Sequence, residues 1–287
     1  RSTLFPYTTL FRSSIDYFKK WNVPILEGYT IMTPVSEWEN SLEGMNAMEV
    51  SIAISMPELD GIVHGVPVAA KKVLENGDVR YLPITERVER MVSRAKKWAL
   101  LRRKENSEKR IAIIFHNYPP RNSNIGSALG LDTIESIRRT LQLMQERGYK
   151  VEVIPEDTKE FIRELTANAT NDIALLTEKQ LQRAQKVTKE EYLHFFASQP
   201  QKIQEQLVKD WGEAPGTVME YDGSLLVPGT MNGNVFVTVQ PPRGFGADPE
   251  KIYHSPYCAP THHYLAFYYW IRDRKSTRLN SSHSKIS

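Results

Sequence analysis

Three histidines and a cysteine crowd the last part of the chain: His254, Cys258 and His262 recur every four residues, and His263 follows. Imidazole and thiolate are ligands for borderline divalent metals such as Co²⁺, Ni²⁺ and Zn²⁺. Imidazole also exchanges protons near neutral pH. Pro256 and Pro260 interrupt the backbone between them, so one helix cannot present all three on a single face, and no zinc-site spacing fits. Two readings stay open. Either one or two of these histidines line a pocket, holding a metal transiently or moving protons, or they hydrogen-bond the loop 240–246 and hold its shape. Arg243 poses the same choice: it pairs with ligand carboxylates, or it ties its Pro-Pro-Arg-Gly turn to an acidic neighbour such as Asp248.

These side chains need a frame, and the pattern supplies one. Residues 235–239 are continuously apolar and β-branched, as in a strand covered on both faces. The loop carrying Gln240 and Arg243 begins where that strand ends, which is where open α/β sheets place ligands. Pro260 suits the first turn of a helix, putting His262 and His263 near a helix N-terminus, with Tyr264, Phe267, Tyr268 and Ile271 at helical spacing. The aromatic run 264–270 suits a flat macrocycle or plain core packing. A second loop, 116–130, joins strand 110–115 to an amphipathic helix over 131–147. Leu131, Ile134, Ile137, Leu141 and Met144 share one side of that helix; Asp132 and Glu135 have capping-box spacing, and Gly148 fits its C-terminal stop. With a strand at 150–154 this makes a right-handed parallel β-loop-α-β unit. The loop has neither Gly-x-Gly-x-x-Gly nor Gly-Lys-Ser/Thr, so neither NAD nor ATP is assigned to it. Its length makes His116, Asn117 and Arg121 candidates for ligand contact.

The remaining pattern is simpler. A helix ends at Trp21, a short buried strand covers 23–26, Ser36 caps a helix leading to Gly44, and 50–54 reads as a strand. In the loop 56–61, Glu58 and Asp60 either bind a cation or hydroxyl or form a solvated turn. A strand returns over 62–69, with a surface turn at 75–78. Residues 85–104 form an amphipathic helix with Val88, Met91, Ala95, Trp98 and Leu101 in one stripe. Asn106-Ser107 breaks the pattern and links two units, 14–105 and 106–273. Within the second, 157–212 reads as a polar helical insertion with Thr158, Thr177 and Thr188 as caps and His194 as a packed histidine. Strand character resumes at 224–227 and leads to the strand-loop-helix of 224–273. The fold class is α/β, with mostly parallel sheet elements and a helical insertion.

With 40% hydrophobic and 25% charged residues the composition is that of a soluble globular protein, and no window is apolar enough to span a bilayer. Residues 1–13 and 274–287 read as translated sequencing-adapter sequence. They hold two and four of the 37 Lys and Arg and none of the 34 Asp and Glu, so without them the net charge of +3 becomes −3. The nominal basicity is therefore no argument for nucleic acid or anionic lipid. The single cysteine excludes an internal disulfide framework and fits a reducing compartment, the cytoplasm.

At this point the residues resemble a family. Gly233-Asn-Val-Phe-Val-x-Val-Gln-Pro-Pro-Arg-Gly, Asp248-Pro249, Tyr253-His254 and Pro260-x-His-His-Tyr-Leu-Ala-Phe-Tyr-x-Trp look like the CobN family, the large subunits of cobaltochelatase, related to the large subunit of magnesium chelatase. Pro57-Glu-Leu-Asp-Gly61, Trp98 with Leu101-Arg102-Arg103, and the Asn-Tyr-Pro-Pro, Asn-Ile-Gly and Gly-Leu-Asp motifs of 117–132 agree, and the likeness spans 14–273. It implies an internal piece of a large multidomain chelatase subunit. Such a subunit binds a tetrapyrrole, hydrogenobyrinic acid a,c-diamide in the cobalt branch, and inserts Co²⁺, the substrate metal. AAA-type ATPase partner subunits handle ATP and Mg²⁺. The site residues it implies are His254, His262 and His263 for catalysis, with His254 and His262 passing the metal, and Gln240, Arg243, His116 and Asn117 for the macrocycle. Cys258 departs from an expected aliphatic residue and receives no metal role. The family's Gly-Thr-His-Gly and glutamate segments are absent from this sequence, so this piece alone is expected to be inactive, with exposed apolar surface where neighbouring domains pack. A magnesium or nickel chelatase subunit and a non-catalytic tetrapyrrole scaffold are the alternatives.

Overall fold

Asn46 decides the first departure from the sequence reading. Its side chain accepts from Glu49 N at 2.9 Å while the Glu49 carboxylate accepts from Asn46 N at 3.2 Å, a capping box. The Val50–Ile54 run, expected as a strand, therefore continues a helix. In this computed structural model, which describes residues 19–40, 45–117, 121–167, 170–171, 175–244 and 258–272, the chain divides into two compact units, 1–103 and 104–287.

In the first unit, β1 (Leu26–Pro34) and α1 (Val35–Asn40) precede α2 (Ala47–Val50), a π-helical turn (Ser51–Ser55) and α3 (Met56–Leu59). The strand expected from Val23 begins only at Leu26, and Ser36 lies inside α1 rather than capping it. Glu58 sits in α3 and Asp60-Gly61 forms the following turn, with Gly61 at φ 84, so the turn reading holds there. The helical run leaves Met48, Ile52, Met56 and Leu59 exposed, the kind of apolar surface the sequence predicts. β2 (Val63–Val73) pairs parallel with β1 and antiparallel with β3 (Val79–Pro83). β3 is exposed at every residue, which is why it carries no alternation legible in the sequence. α4 (Thr85–Arg103) forms as expected, yet none of its residues is fully buried.

The second unit is built around a strand with two covered faces. β4 (Ile111–Phe115) leads through the long loop to α5 (Thr133–Glu146), then come α6 (Thr158–Thr166), α7 (Glu178–Arg183), β5 (Gln185–Val187), α8 (Lys189–Ala197) and α9 (Gln201–Trp211). They are followed by β6 (Glu220–Tyr221), β7 (Ser224–Val227), β8 (Thr230–Asn232), β9 (Val235–Val239) and α10 (His262–Trp270). One sheet has the order β4-β9-β8 and another β5-β7-β6; among the described strands only β1–β2 and β4–β9 pair parallel and the other four pairs are antiparallel, so the sheets are not mostly parallel as the sequence suggested. Period-2 geometry sends Val235, Val237 and Val239 to a core with Phe115, Leu141 and Phe161, while Phe236 faces Leu225, Phe267 and Trp270 on the other side. Asp157, not Thr158, caps α6, whereas Thr177 and Thr188 form capping boxes as expected. His194 is exposed rather than packed, because Tyr192 and Phe195 take the inward positions of α8.

The segment 150–154, expected as a strand, is not one. Its Glu152 N and Val153 N donate to Asn232 Oδ1 at 2.8 and 2.9 Å, and Asn232 Nδ2 donates back to Val153 O at 2.6 Å. One side chain thus stands in for a ladder, and the expected β-loop-α-β unit closes through β9 instead. The β8–β9 turn presses against this segment: Asn234 N donates to Lys150 O at 2.8 Å, and a Cβ on Gly233 (φ 61) would lie 2.3 Å from that oxygen. Gly233→Ala is expected to cost about 2 kcal/mol or more through strain and overlap. Gly223→Ala, strained in φ but facing open space, should cost about 1 kcal/mol. Equal urea midpoints for the two variants would refute the contact.

Candidate functional site

Because β4 and β9 run parallel in register, with Phe115 opposite Val239, the residues that follow both strands meet at one end of the sheet. Gln240 N donates to Phe115 O at 2.8 Å, and Gly126 N donates to His116 O at 2.7 Å, folding the long loop back over that end. Asn117 is buried, whereas His116 and Arg121 are exposed. Asn171, 2% exposed, donates through Nδ2 to Gln240 O at 2.9 Å and Val239 O at 3.4 Å. The hydroxyl of its neighbour Thr170 bonds Asn122 Oδ1. Gln240 Nε2 lies 3.5 Å from Tyr264 OH, and the Tyr264 and Tyr268 rings are 4.9 Å apart. Burial, and then the bond to Tyr264, push the Tyr268 phenol up. Amides and phenols therefore gather at the carboxyl end of the parallel pair, the place where open α/β sheets bind ligands.

α10 closes this end from one side. Thr261 is its N-cap, accepting from Tyr264 N at 3.1 Å, and Thr261 N donates to Arg243 O at 3.0 Å, so the Pro-Pro-Arg turn is tied to the helix start. Pro260 precedes the cap instead of occupying the first turn. The Arg243 side chain is half-buried; Asp248, its expected partner, lies outside the described residues, as does His254. Cys258 is half-buried and free.

The two helix histidines stand at the start of α10, as expected, with both rings buried. His262 Nε2 lies 2.9 Å from Gly212 O, and its Nδ1 lies 2.8 Å from Tyr192 OH. A carbonyl only accepts, so Nε2 carries the proton and the Tyr192 hydroxyl donates to Nδ1. His263 Nε2 in turn donates to Leu226 O at 3.0 Å, leaving Nδ1 without a partner inside a fully buried ring. Burial pushes His263 down to about 4 and also lowers His262, where the Gly212 bond opposes the shift. Both histidines do hold structure, but through Gly212, Tyr192 and Leu226 rather than through the loop 240–246. Phe267 and Trp270 fill the core, Tyr268 packs partly against it, and Tyr264 lies beside Gln240 at the strand end. Among the described residues no group of three or more His, Cys, Asp or Glu is placed to hold a metal.

The family model described as CobN/Magnesium Chelatase matches residues 5–278. The chain belongs to the CobN/magnesium chelatase family. Among its relatives, an uncharacterised protein of Methanocaldococcus jannaschii is 44% identical over 270 residues, covering 92% of this chain and 22% of the relative. The aerobic cobaltochelatase subunit CobN of Pseudomonas aeruginosa is 34% identical over 257 residues, covering 88% and 20%. Among solved structures, the catalytic subunit of cobaltochelatase from Mycobacterium tuberculosis aligns with a TM-score of 0.74 at 32% identity, covering 89% of this chain and 21% of that one. The chain thus spans about a fifth of the length of the family members it matches. No helix among the described residues is long and apolar enough to cross a membrane.

The sequence reading named Gln240, His116 and Asn117, and the fold brings all three to the strand end with Arg243 on the adjoining turn. It did not name Asn171, Thr170 or Asn122. The polar run Asn168-Ala-Thr-Asn-Asp172, set between two helical patterns, was the available signal; such runs ordinarily mark turns.

Proposed function

We propose that this chain supplies part of the tetrapyrrole-binding wall of the large subunit of an ATP-dependent cobaltochelatase. The subunit inserts Co²⁺ into hydrogenobyrinic acid a,c-diamide, a step of cobalamin biosynthesis in the cytoplasm. The observation that carries this reading is the polar mouth at the carboxyl ends of β4 and β9, in a chain of this family. Gln240 offers an amide, buried Asn117 backs the same strand end, and Arg243 offers a cation for ring carboxylates. The tyrosine pair gives a flat aromatic surface.

Insertion breaks the ionisable inner N–H of the macrocycle, one in a corrin-type ring and two in a porphyrin, forms nitrogen–metal bonds and releases a proton for each N–H broken. Exposed His116 is assigned to accept a proton at this mouth, and His254 to pass Co²⁺ inward. His262 and His263, enclosed by Tyr192, Gly212 and Leu226, are reassigned from catalysis to positioning α10. ATP and Mg²⁺ belong to AAA-type partner subunits.

The test uses the full-length subunit carrying Gln240→Leu and Arg243→Ala. Loss of two polar contacts, one of them charge-assisted, is expected to weaken tetrapyrrole binding about 100-fold in tryptophan-fluorescence titrations. Co²⁺ insertion at low tetrapyrrole concentration should fall in step. Unchanged binding would sink the reading. A magnesium chelatase subunit is the second reading, because the family embraces both metals; turnover of Mg²⁺ with a porphyrin but not of Co²⁺ would establish it. Binding without insertion, with the ATPase partners present, would mark a scaffold.

A further inference from the structure

The end of α9 grips the segment that enters α10 through three consecutive residues. Asp210 Oδ2 accepts from Ala259 N at 2.8 Å, and Trp211 Nε1 donates to Ala259 O at 2.7 Å. The carbonyl of Gly212, the C-cap of α9, accepts from His262 Nε2 at 2.9 Å. Gln206, one turn earlier, donates through Nε2 to Asp210 Oδ2 at 2.8 Å, so the carboxylate is held by its own helix. Both backbone groups of Ala259 are thus satisfied by side chains, one an acceptor and one a donor. Apolar packing would let the strap slide, whereas two directed bonds on one residue fix its rotation and its register. Two residues later, Thr261 N donates to Arg243 O at 3.0 Å. Residues 259–261 therefore form a bracket: α9 holds one end, and the other end holds the backbone of Arg243.

We propose that Asp210 and Trp211 are positioning residues for Arg243: they set the backbone from which its guanidinium meets an acid group of the bound tetrapyrrole. This inference rests on the tetrapyrrole-binding reading above. A guanidinium recognises a carboxylate through a fork of parallel N–H···O bonds, which depends on angle as well as distance. A turn free to slide keeps the charge and loses the fork. Loss of either clamp therefore weakens binding through Arg243, and has nothing to act on once that guanidinium is gone. The role of Asp210 is that of an acceptor for a neutral N–H, so an amide in its place can serve.

The experiment is a double-mutant cycle in the full-length subunit. Asp210→Ala and Trp211→Phe are each made in wild type and on Arg243→Ala. Dissociation constants for metal-free hydrogenobyrinic acid a,c-diamide come from equilibrium dialysis read by the absorbance of the ring, and thermal unfolding runs alongside. In the wild-type background each clamp variant is expected to weaken binding about tenfold, the worth of one lost hydrogen bond. On Arg243→Ala the same substitution should change it by less than about twofold, the ordinary limit of additivity. Asp210→Asn, which keeps an acceptor for Ala259 N, should bind close to wild type, and a loss as large as that of Asp210→Ala would overturn the clamp. A merely structural role weakens binding by the same factor in both backgrounds, and that additivity overturns the proposal, as does wild-type affinity in the clamp variants. Should Asp210→Ala fail to fold, Trp211→Phe, which keeps a ring and loses only the N–H, carries the same cycle. If Arg243→Ala itself leaves binding unchanged, the contact between Arg243 and the ring falls and takes this inference with it. Additive losses beside a damaging Arg243→Ala sink the Asp210 and Trp211 assignment alone.

Discussion

Trp270→Ala is expected to remove about 4 kcal/mol from the stability of the unit 104–287, within the 3–5 kcal/mol typical of truncating a buried Trp. The side chain is 1% exposed, its ring centroid lies 4.7 Å from that of Phe236, and it fills a core shared with Phe267, Leu225 and Val227. Truncation leaves a cavity under the middle strand of the sheet, which its neighbours can fill only by shifting α10. A domain with the usual 5–15 kcal/mol of stability would lose a large share of it. Urea denaturation read by circular dichroism measures the change, and Trp270→Phe should recover more than half. A loss below about 1 kcal/mol would mean that the side chain is not the keystone its burial implies.

His263 is expected to make folding strongly dependent on mild acid. Its ring is fully buried and its folded pKa is pushed down to about 4 from 6.5. Between those values the unfolded chain binds a proton that the folded chain does not, so stability rises with pH across this window. The contribution is fully present above about 6.5 and is lost as pH falls toward 4, amounting to about 3 kcal/mol at the lower end. His262, also lowered by burial, adds to the same trend. His263→Gln keeps an N–H for Leu226 O but has nothing to titrate. The difference in unfolding free energy between wild type and His263→Gln should therefore widen in favour of the variant from pH 7 to pH 4. Parallel curves would exclude a neutral buried ring. Carboxylates that titrate in this range act on both proteins and cancel.

What the sequence disclosed depended on whether a local rule or a distant partner decided the outcome. β9, α4 and α5 were legible because their side chains follow a single period and their caps lie within a few residues. The run 50–54 misled because Val and Ile suit strands in general, while the Asn46–Glu49 capping box just upstream commits this stretch to helix. Residues 150–154 misled differently. No strand forms there, because Asn232, about 80 residues away, takes the backbone groups a ladder would need. The candidate site divided in the same manner. Gln240 announced itself by following a buried strand, and His262 and His263 by residue type. Tyr192, Gly212 and Leu226, which determine what those histidines can do, carry no local mark. Neither does Asn171, whose partners lie about 70 residues away.

The parallel pairing of β4 with β9 has a consequence for synthesis. Ile111 meets Val235, so the first strand leaves the ribosome roughly 120 residues ahead of its partner, on the order of 10 s at ordinary translation rates. Throughout that interval an apolar strand edge is available to any other chain in the same state. The next element to emerge is α5, whose Leu141 packs in the same core as Phe115. It can shelter one face of β4 during the wait, but not the edge that β9 will occupy. Expression at lower temperature, or with a chaperone that binds extended apolar segments, should therefore raise the soluble yield more than any surface substitution.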